Sequence, residues 1–359
     1  MEELWQYKNA LAHLAFCDKN SRGRKYAQKN NAPIYDDDDY LFEVISPFAI
    51  DCEKIANSKA FRRLANKTQV FPTPRNPHIR TRLQHTLEVE MLAVEIAEIL
   101  GLNVNLCRAI ALGHDLGHAP FGHFGESFIS QTSGKPFNHA INGVVVAQEI
   151  ERRGGGLNLC YETLLGVLRH SSTKDLKLAI DPNLIQEINV VKLADKLSYT
   201  FSDYNDAKRV GYITEPNDTN INFFGQRQRQ WLKTCVTAIV YESANKGCVA
   251  FAETETAGEF KILRQWLYHN VYAPINFEVQ KSYLDRLIEF FGKEDFLQGC
   301  DPFLLLSLLT DREVFQFGDL CNTAIIPNIG LLQNSSLLEI VPWIREKKID
   351  FTNPGLNWA

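Results

Sequence analysis

A chain of 359 residues with 45% hydrophobic content can bury one large core or two modest ones. A formal net charge of −5 argues against a generally basic nucleic-acid coat, though not against a local basic pocket. No apolar run is long enough to span a bilayer, and MEELWQYKNALAHLAFCDKN lacks the pattern of a signal peptide, so a cytoplasmic protein without membrane attachment is expected.

In chain order, DDDD (36–39) reads as a solvated acidic loop. TLEVEMLAVEIAEILGL (86–102) has helical apolar spacing and stops at Gly101. NVNLCRAIALGHDLG (103–117) opens on an Asn cap and is expected to end at Gly117. Residues 137–152 and YETLLGVLRHS (161–171) are further helices, separated by the RRGGG loop (152–156). A long helix is expected over 183–209, then a loop at 215–225, with helical patterning to the end. The eight cysteines (17, 52, 107, 160, 235, 248, 300 and 321) form no C-x-x-C pair and read as buried free thiols. The fold class is all-α. Residues 1–45 are an N-terminal segment packing on the core, 46–214 the core, and 215–359 a helical C-terminal region of the same globular unit.

HDLGHAPFGH (114–123) concentrates metal-type side chains. Imidazole and carboxylate both ligate divalent first-row ions, so His114 and Asp115 can aim at one ion if other donors arrive. His85, in RTRLQHTLEVE, is one candidate. Asp195 is the other, because a lone carboxylate beside Val191 and Leu193 is costly unless paired or ligated. The set His85, His114, Asp115 and Asp195 would leave positions open for water and a phosphate oxygen. Such a mixed site accepts Mn, Mg, Fe, Co or Zn. An HD dipeptide by itself means little, and His118 could simply satisfy a carbonyl; spacing alone leaves both readings open. Asp195, Tyr199 and Asp203 recur every four residues and share a helix face.

The blocks SRGR (21–24), SPFAIDCEKIANSKAFRRLANKTQVF (46–71), RTRLQHTLEVE (80–90), HDLGHAPFGHFGE (114–126), GLNLCYETLLGVLRHS (156–171) and ADKLSYTFSDYNDAKRVG (194–211) span about half the chain. Together they resemble the HD-domain superfamily, and within it the deoxyguanosinetriphosphate triphosphohydrolase-like dNTPases. The resemblance implies an HD helical bundle that splits a dNTP into deoxynucleoside and inorganic triphosphate. It implies a metal held by His85, His114, Asp115 and Asp195, and His123, in the expected loop PFGHFGE, working at the scissile bond. Glu126, three residues on, could orient that imidazole if a helix starts there. His118 would serve the same catalytic group by contacting phosphate. Arg82, three residues before His85, and Lys196 are the favoured phosphate cations; Arg62, Arg63 and Lys67 are others, with an ordinary solvated or structural role as the competing reading. Tyr199, Asp203 and Gln69 would meet the sugar or base. A homo-oligomer (tetramer or hexamer) and a dNTP activator are expected on the same grounds.

The chain departs from the family pattern at Ala119-Pro120, over 139–145 (Ala140, Asn142, Gly143 and Val145 among them) and at Ser202. These changes spare the expected ligands and bear on base preference and regulation. Two other readings compete: an HD phosphohydrolase acting on a nucleoside monophosphate, cyclic nucleotide or alarmone, and a nucleotide-gated protein that binds single-stranded nucleic acid. The acidic charge disfavours the last, although RGRK (22–25) could be a small basic contact.

Overall fold

A computed structural model describes residues 2–25, 44–72, 76–171, 180–213, 219–322, 336–347 and 350–357. The expected acidic loop at 36–39 and residues 215–218 of the expected loop lie outside them. The chain is all-α: among the described residues there is no strand, only two isolated bridges, Arg24 with Cys160 and Thr68 with Thr81.

Helix α1 (Pro47–Ala56) carries proline at its start, where the missing N–H costs nothing. In α2 (Lys59–Arg63) the Ser58 hydroxyl accepts from the Phe61 N–H at 3.1 Å. Helix α3 (Arg82–Leu100) opens at Arg82, earlier than its apolar pattern suggested. A capping box explains this: the Thr81 N–H donates to Gln84 Oε1 at 3.0 Å. Helix α4 (Val104–Gly113) has the expected cap, with the Leu106 N–H donating to the Asn103 side chain at 3.1 Å.

Helix α4 ends at Gly113, short of the expected Gly117. His114 Nδ1 lies 2.6 Å from the Ala111 carbonyl, which another turn of helix would have used. Gly117 is also pressed against a neighbour, where a Cβ would sit 2.1 Å from the Gly143 nitrogen. Residues 114–117 therefore turn, and His114 and Asp115 are left at the helix end.

Next come α5 (His123–Ser133) and α6 (His139–Val145), the latter capped by Asn138 and running into a π turn at Val146–Ile150. The expected helix over 137–152 is thus split, and Arg152 and Arg153 break it with φ of 49° and 59°. Helices α7 (Tyr161–Arg169) and α8 (Gln186–Val210) follow. The C-terminal part contributes α9 (Gln228–Lys246), α10 (Glu255–Leu267) with a π turn at Tyr268–Tyr272, α11 (Glu278–Lys293), α12 (Pro302–Leu308), α13 (Asp311–Asn322) and α14 (Ser336–Ile344).

Helix α4 lies at the centre, packed on α1, α3, α7 and α8. Leu106, Cys107, Ala109, Ile110 and Ala111 are fully buried, and only Asn105 and Arg108 give the helix a polar edge. Each buried Leu or Ile contributes about 1.5–3 kcal/mol. The packing puts the His114–Asp115 corner in the middle of the molecule. A second apolar cluster joins Leu116, Phe121 and Ile129 to Leu284, Leu304 and Ile344 of α11, α12 and α14, so C-terminal helices support the stretch after α4.

At the N-terminal side Leu11 is wholly buried and its N–H donates to the Leu100 carbonyl at 2.9 Å. Arg24 is buried in an ion pair with Asp51 at 2.7 Å, which removes it from the surface contact expected of RGRK. The expectation of buried thiols holds for Cys107, Cys160 and Cys235; Cys17 is exposed, and Cys52, Cys248 and Cys300 are half-buried. Among the described residues no helix is long and apolar enough to cross a membrane.

Candidate active site

Three elements bring the expected metal donors together: the first turn of α3 supplies His85, the end of α4 supplies His114 and Asp115, and the middle of α8 supplies Asp195. The two Nε2 atoms of His85 and His114 are 3.4 Å apart. Asp195 Oδ1 is 3.1 Å from His85 Nε2 and 3.8 Å from His114 Nε2, and Asp115 Oδ1 is 3.4 Å from His114 Nε2. Donors about 2.1 Å from one ion sit roughly 3.0–3.4 Å apart, so the spacing fits a shared cation. The proton on His114 Nδ1 is directed at the Ala111 carbonyl, which leaves the Nε2 lone pair facing the cluster. Burial disfavours charge on both carboxylates, yet His114, His118 and Arg82 hold Asp115 well below the usual range. Against the same penalty, the His85 hydrogen bond and the field of His114 hold Asp195 low. Two ionised carboxylates and two Nε2 atoms, of which that of His85 would shed the proton it shares with Asp195 when an ion binds, are the donor set a hard or borderline divalent ion takes.

Arg82 is engaged beside this cluster through both of its terminal nitrogens. Its Nη1 donates to Asp115 Oδ2 at 2.9 Å and its Nη2 to the Gln69 carbonyl at 3.2 Å. It lies on the face of α3 that carries His85, as expected, and orients an expected ligand from there.

A second constellation follows. His123 is the first residue of α5, not a loop residue, and its side chain is 79% exposed. Glu126, buried one turn later, brings Oε1 within 3.2 Å of His123 Nδ1, 2.8 Å of His118 Nδ1 and 3.0 Å of His139 Nδ1. His118 lies 3.0 Å from Asp115 Oδ1 through Nε2, so it bridges the two groups. It stacks on His139 with ring centroids 3.9 Å apart. His139 Nε2 in turn meets His170 Nε2 at 3.2 Å, and His170 Nδ1 meets the Val167 carbonyl at 2.7 Å. Burial works against charge on His139, but Glu126 raises its pKa; burial, His114 and His139 lower that of His170. The protonation that fits is an imidazolium at His139, donating to Glu126 on one side and to neutral His170 on the other. Burial, Arg82 and His139 push His118 down to about 4.

Both constellations open on one cavity of about 560 Å³. Gln69, Arg82, His118, His123, Glu126, Asp195, Lys196, Tyr199 and Asp203 all line it; His85, His114 and Asp115 sit just beneath. The Arg264 Nη2 donates to the Tyr199 hydroxyl at 2.8 Å, and the Tyr272 hydroxyl donates to Asp203 at 2.9 Å. Burial pushes Asp203 up to about 7. Gln69 Oε1 is buried and has no hydrogen-bond partner among the described residues. Arg62, Arg63 and Lys67 do not reach the cavity: Arg63 pairs with Glu151 at 3.6 Å, and Lys67 binds the His118 carbonyl from behind.

Sequence reasoning missed His139, His170, Arg264 and Tyr272. His139 carried a readable signal, standing directly after the Asn138 cap and hence at the start of a helix. No local signal marked the others. Arg264 and Tyr272 come from α10 and its π turn, and such turns commonly re-aim side chains at functional sites.

Residues 82–200 match the HD domain family. A deoxyguanosinetriphosphate triphosphohydrolase-like protein of Desulfatibacillum aliphaticivorans is 38% identical over 292 residues, which is 78% of this chain and 80% of that protein. One of Caldanaerobacter subterraneus subsp. tengcongensis is 36% identical over 291 residues, 80% of this chain and 79% of its own. A third, of Clostridium tetani, is 37% identical over 237 residues, covering 64% and 67%.

Proposed function

The chain belongs to the HD-domain, deoxyguanosinetriphosphate triphosphohydrolase-like family of metal-dependent phosphohydrolases, and from that premise we propose that it converts dNTPs to deoxynucleoside and inorganic triphosphate. One observation carries the reading. Asp195 of the four-donor cluster lines the same cavity as the cations Lys196 and Arg264, which suit a triphosphate, and as Tyr199, Asp203 and Tyr272, which suit a sugar and base. We read 46–214 as the catalytic core and 215–359 as part of the same unit, since Arg264 and Tyr272 reach the cavity.

His85, His114, Asp115 and Asp195 would hold a divalent cation, which when bound supplies charge neutralisation and polarises a phosphate oxygen. Lys196 and Arg264 add fixed positive charge for the triphosphate. Water attacks the α-phosphorus, the bond from phosphorus to the 5′ oxygen breaks, and the proton the water sheds passes to solvent, from which His123 is recharged. His123 gives a proton to that leaving oxygen from the ring nitrogen that faces away from Glu126. Glu126 keeps the ring in place through Nδ1. His118 turns both ring nitrogens to carboxylates, Asp115 and Glu126, so its part is to couple the metal donors to the Glu126 group and not the phosphate contact expected of it. Gln69 Oε1 accepts from the sugar hydroxyl, the protonated oxygen of Asp203 donates to that hydroxyl's oxygen, and Tyr199 packs on the nucleoside.

The test is incubation with each dNTP, singly and mixed, with Mn or Mg, followed by product analysis. Deoxynucleoside with intact triphosphate is expected. Pyrophosphate or monophosphate would assign the chain to another HD phosphohydrolase reaction, and no turnover under any mixture would sink the reading.

A further inference from the structure

The turn that delivers His123 is backbone-strained. Phe121, directly before Gly122, has φ of 59°, a left-handed value that a bulky side chain rarely adopts. Gly122 follows at φ 59°, and a Cβ there would lie 2.4 Å from Arg82 Nη2, so the turn has no room to move toward the metal donors. Such a conformation persists only where its surroundings over-determine it.

Those surroundings come from the C-terminal helices. Asp311, the first residue of α13, is buried. Its Oδ1 accepts from the Phe121 N–H at 2.9 Å. Its Oδ2 accepts from the Thr68 N–H at 2.8 Å and the Thr68 hydroxyl at 2.6 Å. Lys67, also buried, donates from Nζ to the His118 carbonyl and to the Ser307 carbonyl of α12, the latter at 3.3 Å. Phe315 packs edge-on against the Phe121 ring at 5.4 Å. The 118–121 loop is thus pinned at both ends from one side.

We infer that Asp311, with Lys67, is a positioning residue that holds the Phe121–Gly122 turn and so fixes His118 and His123 against the metal donors. The inference rests on the proposed role of His123. Without Asp311 the Phe121 N–H is left buried and unpaired, the left-handed turn loses its anchor, and α5 starts from a different place. A displacement of about 1 Å at a reacting group can cost on the order of a hundredfold in rate.

The same helix supplies the control. Glu313 accepts from the Thr310 N–H at 2.9 Å and from the Ser336 N–H at 3.3 Å, so it ties C-terminal segments together without reaching the 118–121 loop. Asp311→Ala should lower kcat about 10- to 100-fold with KM changed less than about threefold, whereas Glu313→Ala should lower Tm and leave kcat within about twofold. In ¹³C-histidine NMR spectra of the full chain, Asp311→Ala should shift the ring signals of His118 and His123 and leave that of His269 in place. If Asp311→Ala fails to fold, Thr68→Val, which removes one donor to the same carboxylate, should give a smaller kcat loss with the same shifted signals. Unchanged kcat and unchanged ring signals would overturn the inference, as would equal losses in the Asp311 and Glu313 variants. A wild-type chain that turns over no dNTP would overturn the functional reading instead; the ring signals would then decide the clamp alone.

Discussion

Two pairs of imidazoles face each other in this molecule at nearly the same distance, and they do different things. His85 and His114 point their Nε2 atoms at one another across 3.4 Å, His139 and His170 across 3.2 Å. In each pair at least one Nδ1 is committed to a backbone carbonyl, Ala111 for His114 and Val167 for His170. The difference lies in where the carboxylates stand. Asp115 and Asp195 flank the first pair on the Nε2 side, in the space the lone pairs share. Glu126 meets the second pair from outside, on His139 Nδ1. Negative charge between two lone pairs calls for a cation; negative charge behind one ring keeps a proton on it. The first arrangement suits a cation and the second a shared proton.

The largest effect tests the first half of that contrast. Asp115→Ala should remove bound divalent metal, read by elemental analysis of the purified protein, and lower turnover on the order of a thousandfold, the rate equivalent of several kcal/mol of lost charge stabilisation. Full metal occupancy in that variant would mean the donors are held together for another reason. A smaller effect tests the second half. His139→Gln should lower kcat about 10- to 100-fold, because Glu126 loses the charge that balances it and His123 loses a fixed partner. Metal content should not change. Loss of one metal equivalent in His139→Gln would show that the second pair also takes a cation, and the contrast would collapse.

The cluster of His85, His114, Asp115 and Asp195 was legible in the sequence, and the chain of imidazoles behind Glu126 was not. Asp195 lies inside a helix that could be read, and His85, His114 and Asp115 stand next to the ends of two others, in motifs whose residue types marked them as donors. The Gly-rich PFGHFGE reads as loop, and His123 was expected there. Instead Gly122 makes the turn and Gly125 lets α5 begin at once, since a Cβ at Gly125 would lie 1.9 Å from the Pro120 carbonyl oxygen. His170 and Arg264 reach the cavity only because α7 and α10 pack where they do, a long-range fact with no local trace. The family departures at Asn142, Gly143 and Ser202 take on uses the sequence did not suggest. Asn142 Nδ2 donates to the Gly117 carbonyl at 2.8 Å, Gly143 lets α6 approach Gly117, and the Ser202 hydroxyl donates to Glu88 at 2.7 Å.

The division between held cation and held proton extends to Asp203, eight residues along α8 from Asp195. The two carboxylates sit on the same helix face, yet His85 and His114 draw Asp195 down while burial pushes Asp203 up to about 7. The Tyr272 hydroxyl donates to one Asp203 oxygen, and the other is left to carry the proton. A carboxyl whose folded pKa exceeds its ordinary 3.8 binds its proton more tightly in the folded chain. Its contribution to stability is therefore full below about pH 4, falls as pH rises toward 7, and is gone above that. Between pH 5 and 7.5 the wild type should lose about 2–3 kcal/mol more than Asp203→Asn, which stays neutral throughout. Thermal melts of the two proteins across that range, at fixed metal concentration, should converge as pH falls and separate by several degrees as it rises. Parallel curves would mean that Asp203 is ionised in the folded chain at pH 5, and the proton-holding half of the cavity would reduce to the histidine pair.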